Sequence, residues 1–162
     1  MMTLASKVLE ALRGKTLSTA ESCTGGGIGA AITAVAGSSS VYKGGIVSYC
    51  NEIKHSLLDV DETLLTSAGA VSAPVAEAMA RGARVKLNTD IAVSVTGLAG
   101  PGGDEYGNPL GTVFIGYADE KTVLSEHYVF KGSREEIRDQ AIHAAFSAIL
   151  KQNSEEAHSE KN

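Results

Sequence analysis

The chain has 162 residues, of which 43% are hydrophobic and 20% charged, and its net charge is −5. That is enough for one domain with a real core, and it excludes a largely disordered chain. There is no basic run to track a nucleic-acid backbone, and no apolar run reaches the ~18 residues of a membrane span.

The opening MMTLASKVLEALRGK mixes apolar and charged residues, which is not the pattern of a secretory signal. Cys23 and Cys50 are too few for a disulfide framework, and they lack CxxC spacing. The four histidines are scattered, so no metal site is expected. These features lead to the expectation of a cytoplasmic α/β domain that acts on something small without a cofactor.

In chain order, residues 3–13 read as an amphipathic helix. Thr3 caps it, Leu4, Val8 and Leu12 share a face, and Gly14 ends it. A short strand at 16–20 runs into ESCTGGG, and a helix follows to about Val35. GIVSYC, 45–50, reads as a compact buried strand. Asn51 is placed to cap a helix over 52–58, and Asp61 caps another that ends near Gly69. Ser72 caps a longer one over 73–87, with Pro74 in its first turn.

DIAVSVT, 90–96, is a buried strand by its β-branched run, and the loop GLAGPGGDEYGNPLG follows it. GTVFIGYAD and TVLSEHYVF pair as a hairpin across the turn at Asp119–Thr122. Ser133 and Glu136 form a capping box for a last helix over 134–151. Residues 1–152 are expected to form one domain and 153–162 a polar, frayed tail. Helices between strands, plus one hairpin, imply an α/β fold: three layers, α/β/α, with a mixed sheet flanked by helices.

Glycine marks where chemistry is to be sought. Fourteen of the 18 glycines fall in two windows, 25–45 and 97–116. Clustered glycine means sharp bends or backbone that approaches something closely. At the entry to the first window, Ser22, Thr24 and Gly25 lie where a strand gives way to a helix. Free amides and the positive end of a helix dipole are available there, so a hydroxyl has an oxyanion hole beside it. The plain alternative is that Ser22 and Thr24 are N-caps. Cys23 is a rival nucleophile, since a helix N-terminus lowers a thiol pKa.

Three further segments carry candidates. Tyr49 ends a strand, and Lys54 lies in the first turns of the next helix, where the dipole disfavours a cation. Burial would lower its pKa further, and a neutral lysine can deprotonate a serine. Thr96 and Gly97 follow the buried strand, at the kind of sheet end where open α/β folds bind ligands. The loop is not a Walker loop, since GxxxxGK[ST] is absent. Arg134 and Arg138 share one face at the start of the last helix, an unusual place for cations unless an anionic ligand sits there. For each the bland reading is a surface residue, a satisfied pair or an ordinary turn.

In order, TAESCTGG, GGIVSYCNEIK, AVSAPV, VSVTGLAGPGG and GTVFIGYA resemble the CinA C-terminal-domain family over about residues 3–151. The resemblance is to its single-domain form, without the molybdopterin-binding-like domain. Standalone members look like nicotinamide-nucleotide amidases. The resemblance therefore implies metal-free hydrolysis of the carboxamide of nicotinamide mononucleotide, a pyridine mononucleotide, to nicotinate mononucleotide and ammonia, as part of pyridine nucleotide recycling. It implies Ser22 as nucleophile, Lys54 as base, Tyr49 as assistant and Thr96 at the reacting group. Arg134, with Arg138 as alternate, is implied as the phosphate ligand. The amides of Thr24 and Gly25 are expected to form the oxyanion hole. A homo-oligomer is expected, a dimer favoured. The competing reading is a non-catalytic nucleotide-binding or interaction module linked to competence or recombination.

Overall fold

A computed structural model describes residues 2–154 of the chain. Helix α1 (Leu4–Ala11) precedes strand β1 (Leu17–Glu21) and helix α2 (Gly27–Thr33). A 3-10 turn at Ser38–Ser40 leads into β2 (Tyr42–Val47). Three helices come next: α3 (Asn51–Leu58), α4 (Glu62–Ser67) and α5 (Ala73–Lys86). Strands β3 (Ile91–Gly97), β4 (Thr112–Ala118) and β5 (Val123–Val129) precede the long α6 (Arg134–Asn153).

The five strands form one sheet in the order β2-β1-β3-β4-β5. Strand β1 is parallel to both β2 and β3, whereas β3-β4 and β4-β5 are antiparallel. Helices α1, α2 and α6 cover one face, and α5, with α3 and α4 beside it, covers the other. The expected three-layer α/β fold with a mixed sheet is what forms. Among the described residues no helix is long and apolar enough to cross a membrane.

The two faces are packed differently. On the α6 side, Leu17, Val93, Val95, Val113 and Ile115 meet Val8, Leu12, Ile28, Ile32, Ile137 and Phe146. Each fully buried side chain of this kind contributes about 1.5–3 kcal/mol, so this layer carries much of the hydrophobic stabilisation. On the α5 side the strands present small residues, Ala20, Ala92, Ser94 and Gly116. The helix sits close enough that a Cβ on Gly116 would lie 2.2 Å from the Ala76 carbonyl oxygen. Ser94 Oγ donates to that same carbonyl at 2.5 Å.

Local signals locate the elements well. Thr3 accepts from Ser6 N, Asp61 accepts from Thr63 N, and the Ser133–Glu136 capping box is complete. Four expectations need correction. Strand β2 covers 42–47, not 45–50, and alternates half-buried with exposed residues, because it is an edge strand with one side in solvent. Cys50, not Asn51, is the N-cap of α3, and neither side chain caps it. The Ser72 hydroxyl donates back to Gly69 O instead of capping α5. Asn153 belongs to α6 and is buried, with Nδ2 donating to Tyr117 Oη at 3.1 Å and to Ile149 O at 2.8 Å. The rest of the expected tail, 155–162, lies outside the described residues.

Helix α2 starts in an unexpected way. Neither Ser22 nor Thr24 caps it. The N-cap is Gly26, whose φ of 103° is a left-handed conformation suited to glycine. The Glu21 carboxylate takes the first helical amides instead, Ile28 N at 2.8 Å and Gly29 N at 3.0 Å. Thr24 Oγ1 donates to the same carboxylate at 2.6 Å. One buried acid at the end of β1 thus ties strand, turn and helix together. Glu21→Gln would set an amide N–H donor among these donors. A loss of one charge-assisted bond and one clash costs about 1–3 kcal/mol. Thermal melts should therefore show Tm lowered by roughly 5 °C; an unchanged Tm would remove Glu21 from this role.

Candidate active site

The chain leaves β1 through α2 to reach β2 on one side. It then returns through α3–α5, over the opposite face, to β3 on the other side of β1. The strand order therefore reverses at β1, and open α/β sheets bind ligands in the crevice at such a point. A cavity of about 280 Å³ lies there. Ser22, Cys23, Tyr49, Asn51, Lys54, Thr96 and Gly97 line it, together with the 98–103 loop, Ala70, Val71 and Arg134.

Ser22 is the first residue after β1. Its amide donates to Val95 O at 3.0 Å, which continues the β1–β3 pairing past the strand end. Its side chain is largely buried, at 7% exposure. On the other side of β1, Ser48 N donates to Glu21 O at 2.8 Å. The Ser48 carbonyl is thereby fixed at the same level of the sheet.

Lys54 occupies the first turn of α3 and is 2% exposed. Its Nζ lies 3.0 Å from Ser22 Oγ and 2.8 Å from Ser48 O. No carboxylate pairs with it among the described residues. Burial without a counter-ion penalises the ammonium form and lowers its pKa to about 8. A neutral amine there donates to Ser48 O and turns its lone pair to the Ser22 hydroxyl. That is the arrangement of a base with its nucleophile.

Cys23 is placed differently. It also lines the cavity, but burial pushes its thiol up to about 11, so it is protonated near neutrality. No histidine lines the cavity to deprotonate it.

The remaining candidates separate into two groups. Thr96 and Gly97 close β3 against the cavity, and Thr96 Oγ1 donates to Ala70 O at 2.8 Å. Arg134 is in the wall, with Nη2 donating to Tyr49 Oη at 3.1 Å and Nη1 donating to Gly100 O. Tyr49 lines the mouth and is 61% exposed; its hydroxyl is engaged by Arg134, not by the Ser22–Lys54 pair. Thr24, Gly25 and Arg138 do not line the cavity. The Gly25 amide is consumed by Ser22 O at 3.0 Å, so it is not free for an oxyanion. Among the described residues the amides of Cys23 and Thr24 donate to no other residue, and the Cys23 amide faces its own thiol. Arg138 donates to Cys23 O and Thr24 O, each at 3.1 Å, and so stands behind the turn.

Three contributors were not read from the sequence. Asn51 lines the cavity from the start of α3, the Ser48 carbonyl holds Lys54, and Glu21 anchors the turn. Only Glu21 left a signal, an acid one residue before the strand-to-helix turn. No cluster of three or more metal-ligating side chains exists among the described residues.

Comparison with known proteins gives this geometry a context. Residues 1–153 match the model of the CinA C-terminal domain. A nicotinamide-nucleotide amidohydrolase PncC of Pseudomonas putida is 44% identical over 155 residues, covering 94% of this chain and 97% of that protein. A CinA-like protein of Synechococcus sp. is 47% identical over 150 residues, 90% of this chain but 36% of that protein. The chain spans about a third of the length of such CinA-like relatives. Among solved structures, a competence-damaged protein (CinA) superfamily protein of Klebsiella pneumoniae superposes with a TM-score of 0.90 at 35% identity, covering 93% and 96% of the two chains. The competence/damage inducible protein CihA of Agrobacterium tumefaciens gives 0.89 at 38%, covering 93% and 94%. The family model spans nearly the whole chain, and the fold superposes on solved relatives over more than nine-tenths of its length: the chain belongs to the CinA C-terminal domain family.

Proposed function

We propose that the protein is an amidohydrolase that converts nicotinamide mononucleotide to nicotinate mononucleotide and ammonia, in the service of pyridine nucleotide recycling. The observation that carries this reading is the buried Lys54 amine 3.0 Å from Ser22 Oγ. The name of the Pseudomonas relative, which matches this chain over nearly the whole length of both, supports the substrate.

An amide is a poor electrophile, so its hydrolysis needs an activated nucleophile and a place for the developing charge. Lys54 as the amine accepts the Ser22 proton while Oγ attacks the carboxamide carbon. The C=O bond becomes C–O⁻, and the amides of Cys23 and Thr24 receive it. Collapse breaks the C–N bond, and the Lys54 proton leaves with nitrogen as ammonia. Water, deprotonated by Lys54, then attacks the acyl-enzyme; as the ester C–O bond breaks, the Lys54 proton passes to Ser22 Oγ, and the product acid leaves as its carboxylate after giving its proton to solvent.

Arg134 stands in the cavity wall, which has no carboxylate among its described lining residues. It therefore offers positive potential to a phosphate on a molecule of net charge −5. Arg134 is the phosphate ligand in this reading, with Tyr49 holding its guanidinium at the mouth. The Thr96 proton is committed to Ala70 O, so its oxygen presents lone pairs and suits the N–H donors of a carboxamide.

Incubation with nicotinamide mononucleotide should release ammonia. Ser22→Ala should lose that release by at least about 10⁴-fold while melting like the parent. A folded wild type that binds the mononucleotide and releases nothing would instead make it a binding module. The rate carries a sign as well. Activity needs the amine, so kcat/KM should rise about tenfold per pH unit below about 8 and level off above it. A profile flat from pH 6 to 9 would exclude Lys54 as the base.

The same depressed pKa makes a stability claim. The unfolded lysine titrates near 10.5 and the folded one near 8, so the unfolded state binds more protons between these values. Stability contributed by Lys54 therefore rises with pH across that window. Relative to Lys54→Met, the wild type should gain on the order of 3 kcal/mol from pH 8 to 10.5. Denaturant titrations of both proteins at the two pH values measure the difference, and parallel behaviour would contradict it.

A further inference from the structure

Arg138 is one turn beyond Arg134 on α6, and it is not part of the cavity wall. Its guanidinium spans two consecutive carbonyls, with Nε on Cys23 O and Nη2 on Thr24 O, both at 3.1 Å. A trans peptide points its C=O and N–H in opposite directions. The Cys23 carbonyl faces Arg138 on α6, so the Thr24 amide of that same peptide points away from α6. That is the side of the sheet on which α3 carries Lys54. The preceding peptide obeys the same rule. Ser22 O is turned to Gly25 N at 3.0 Å, and the Cys23 amide points the other way. Neither of these two amides donates to another residue among those described.

We propose that Arg138 is a positioning residue: by gripping the Cys23 and Thr24 carbonyls it holds the Ser22–Gly25 turn so that the Cys23 and Thr24 amides form the oxyanion site. This rests on the acyl-transfer reading given above. The assignment differs from a phosphate-binding role, which belongs to Arg134 in the wall. A guanidinium suits the task because two donors in a fixed fork match two adjacent carbonyls. Its charge also polarises the Cys23–Thr24 peptide from the carbonyl end, which strengthens the amide as a donor. A lysine has neither the fork nor the reach to both oxygens.

The test separates kcat from KM and includes a readout independent of the mononucleotide. Loss of a single oxyanion donor costs about 10²–10³ in kcat, so Arg138→Gln should lower kcat about 100-fold. Its KM should stay within about threefold, as expected for an interaction made only in the transition state. The rise of kcat/KM near pH 8 should remain in place, because Lys54 is untouched. Arg138→Lys, which keeps the charge, should recover little, whereas added methylguanidinium should restore part of the kcat of Arg138→Ala.

In parallel, the rate at which a fluorophosphonate labels Ser22, with fluoride leaving, should fall in all three variants by a similar factor. Melts confirm that each variant is folded, and Arg138→Lys serves if the shorter side chains are not. A raised KM with kcat intact would make Arg138 a substrate ligand and overturn the proposal. Unchanged labelling in a folded variant would overturn it too. A wild type that is labelled but leaves the mononucleotide intact refutes the substrate alone, and the labelling rates then still decide the role of Arg138.

Discussion

The site depends on a lysine buried without a counter-ion. In the proposed reaction, a lysine titrating near 10.5 would offer almost no amine at neutral pH, whereas at about 8 roughly a tenth of Lys54 is amine. A Lys54 paired with a carboxylate would also stay charged. Burial on α3 beside a backbone carbonyl supplies enough polarity to hold the amine, and too little to hold the full charge cheaply. The fold then has to carry a destabilising residue at its centre. It does so with a well-filled layer on the α6 side and a close-fitting α5 on the other.

The sheet supplies the precision. Ser22 is held by the β1–β3 pairing and Ser48 by the β1–β2 pairing, so both partners of Lys54 are extensions of the ladder. Backbone pairing is stiffer than any loop, and the placing of Ser22 against the Ser48 carbonyl, which Lys54 bridges, is therefore set by strand register. Glu21 performs the same service for the turn. Its carboxylate satisfies the first amides of α2, and the Ser22–Gly25 turn keeps two amides that donate to no other residue. A conventional N-cap by Ser22 or Thr24 would have tied up a hydroxyl or an amide that the chemistry needs.

Much of this was legible in the sequence, for identifiable reasons. Helix starts at Thr3, Asp61 and Ser133 are local hydrogen bonds, and local rules find them. The central strands are continuous apolar runs because both faces are covered. The edge strand was harder. Tyr42 to Val47 alternates because one side is solvated, and the more apolar run displaced the reading toward Cys50. In the site, Ser22, Lys54, Thr96 and Arg134 stand at one cavity although they are far apart in the chain. The residue types and the motif order located them. What the sequence did not reveal is where each polar group spends its hydrogen bonds. The Gly25 amide, the Tyr49 hydroxyl and the Arg138 guanidinium each turn out to be engaged with a neighbour. Such commitments are tertiary, and no spacing rule states them.

Helix α6 relates the two ends of the site to each other. Cations in a first turn oppose the helix dipole, yet α6 opens with Arg134 and places Arg138 a turn later. Glu135, Glu136 and the capping box offset that cost, and the Glu136 carboxyl is held below its usual pKa by the Ser133 amide. Residues four apart on a helix lie on one face, about 5–6 Å between Cβ atoms. One arginine therefore stands at the mouth, on Tyr49 and the glycine loop, while the other grips the turn that follows Ser22. In the proposed reading, the spacing between the phosphate of the substrate and its reacting carbonyl is then set by a helical repeat instead of by loop conformation. Because α6 also packs on β3 and β4, it holds that spacing through the same core that holds the strand ends.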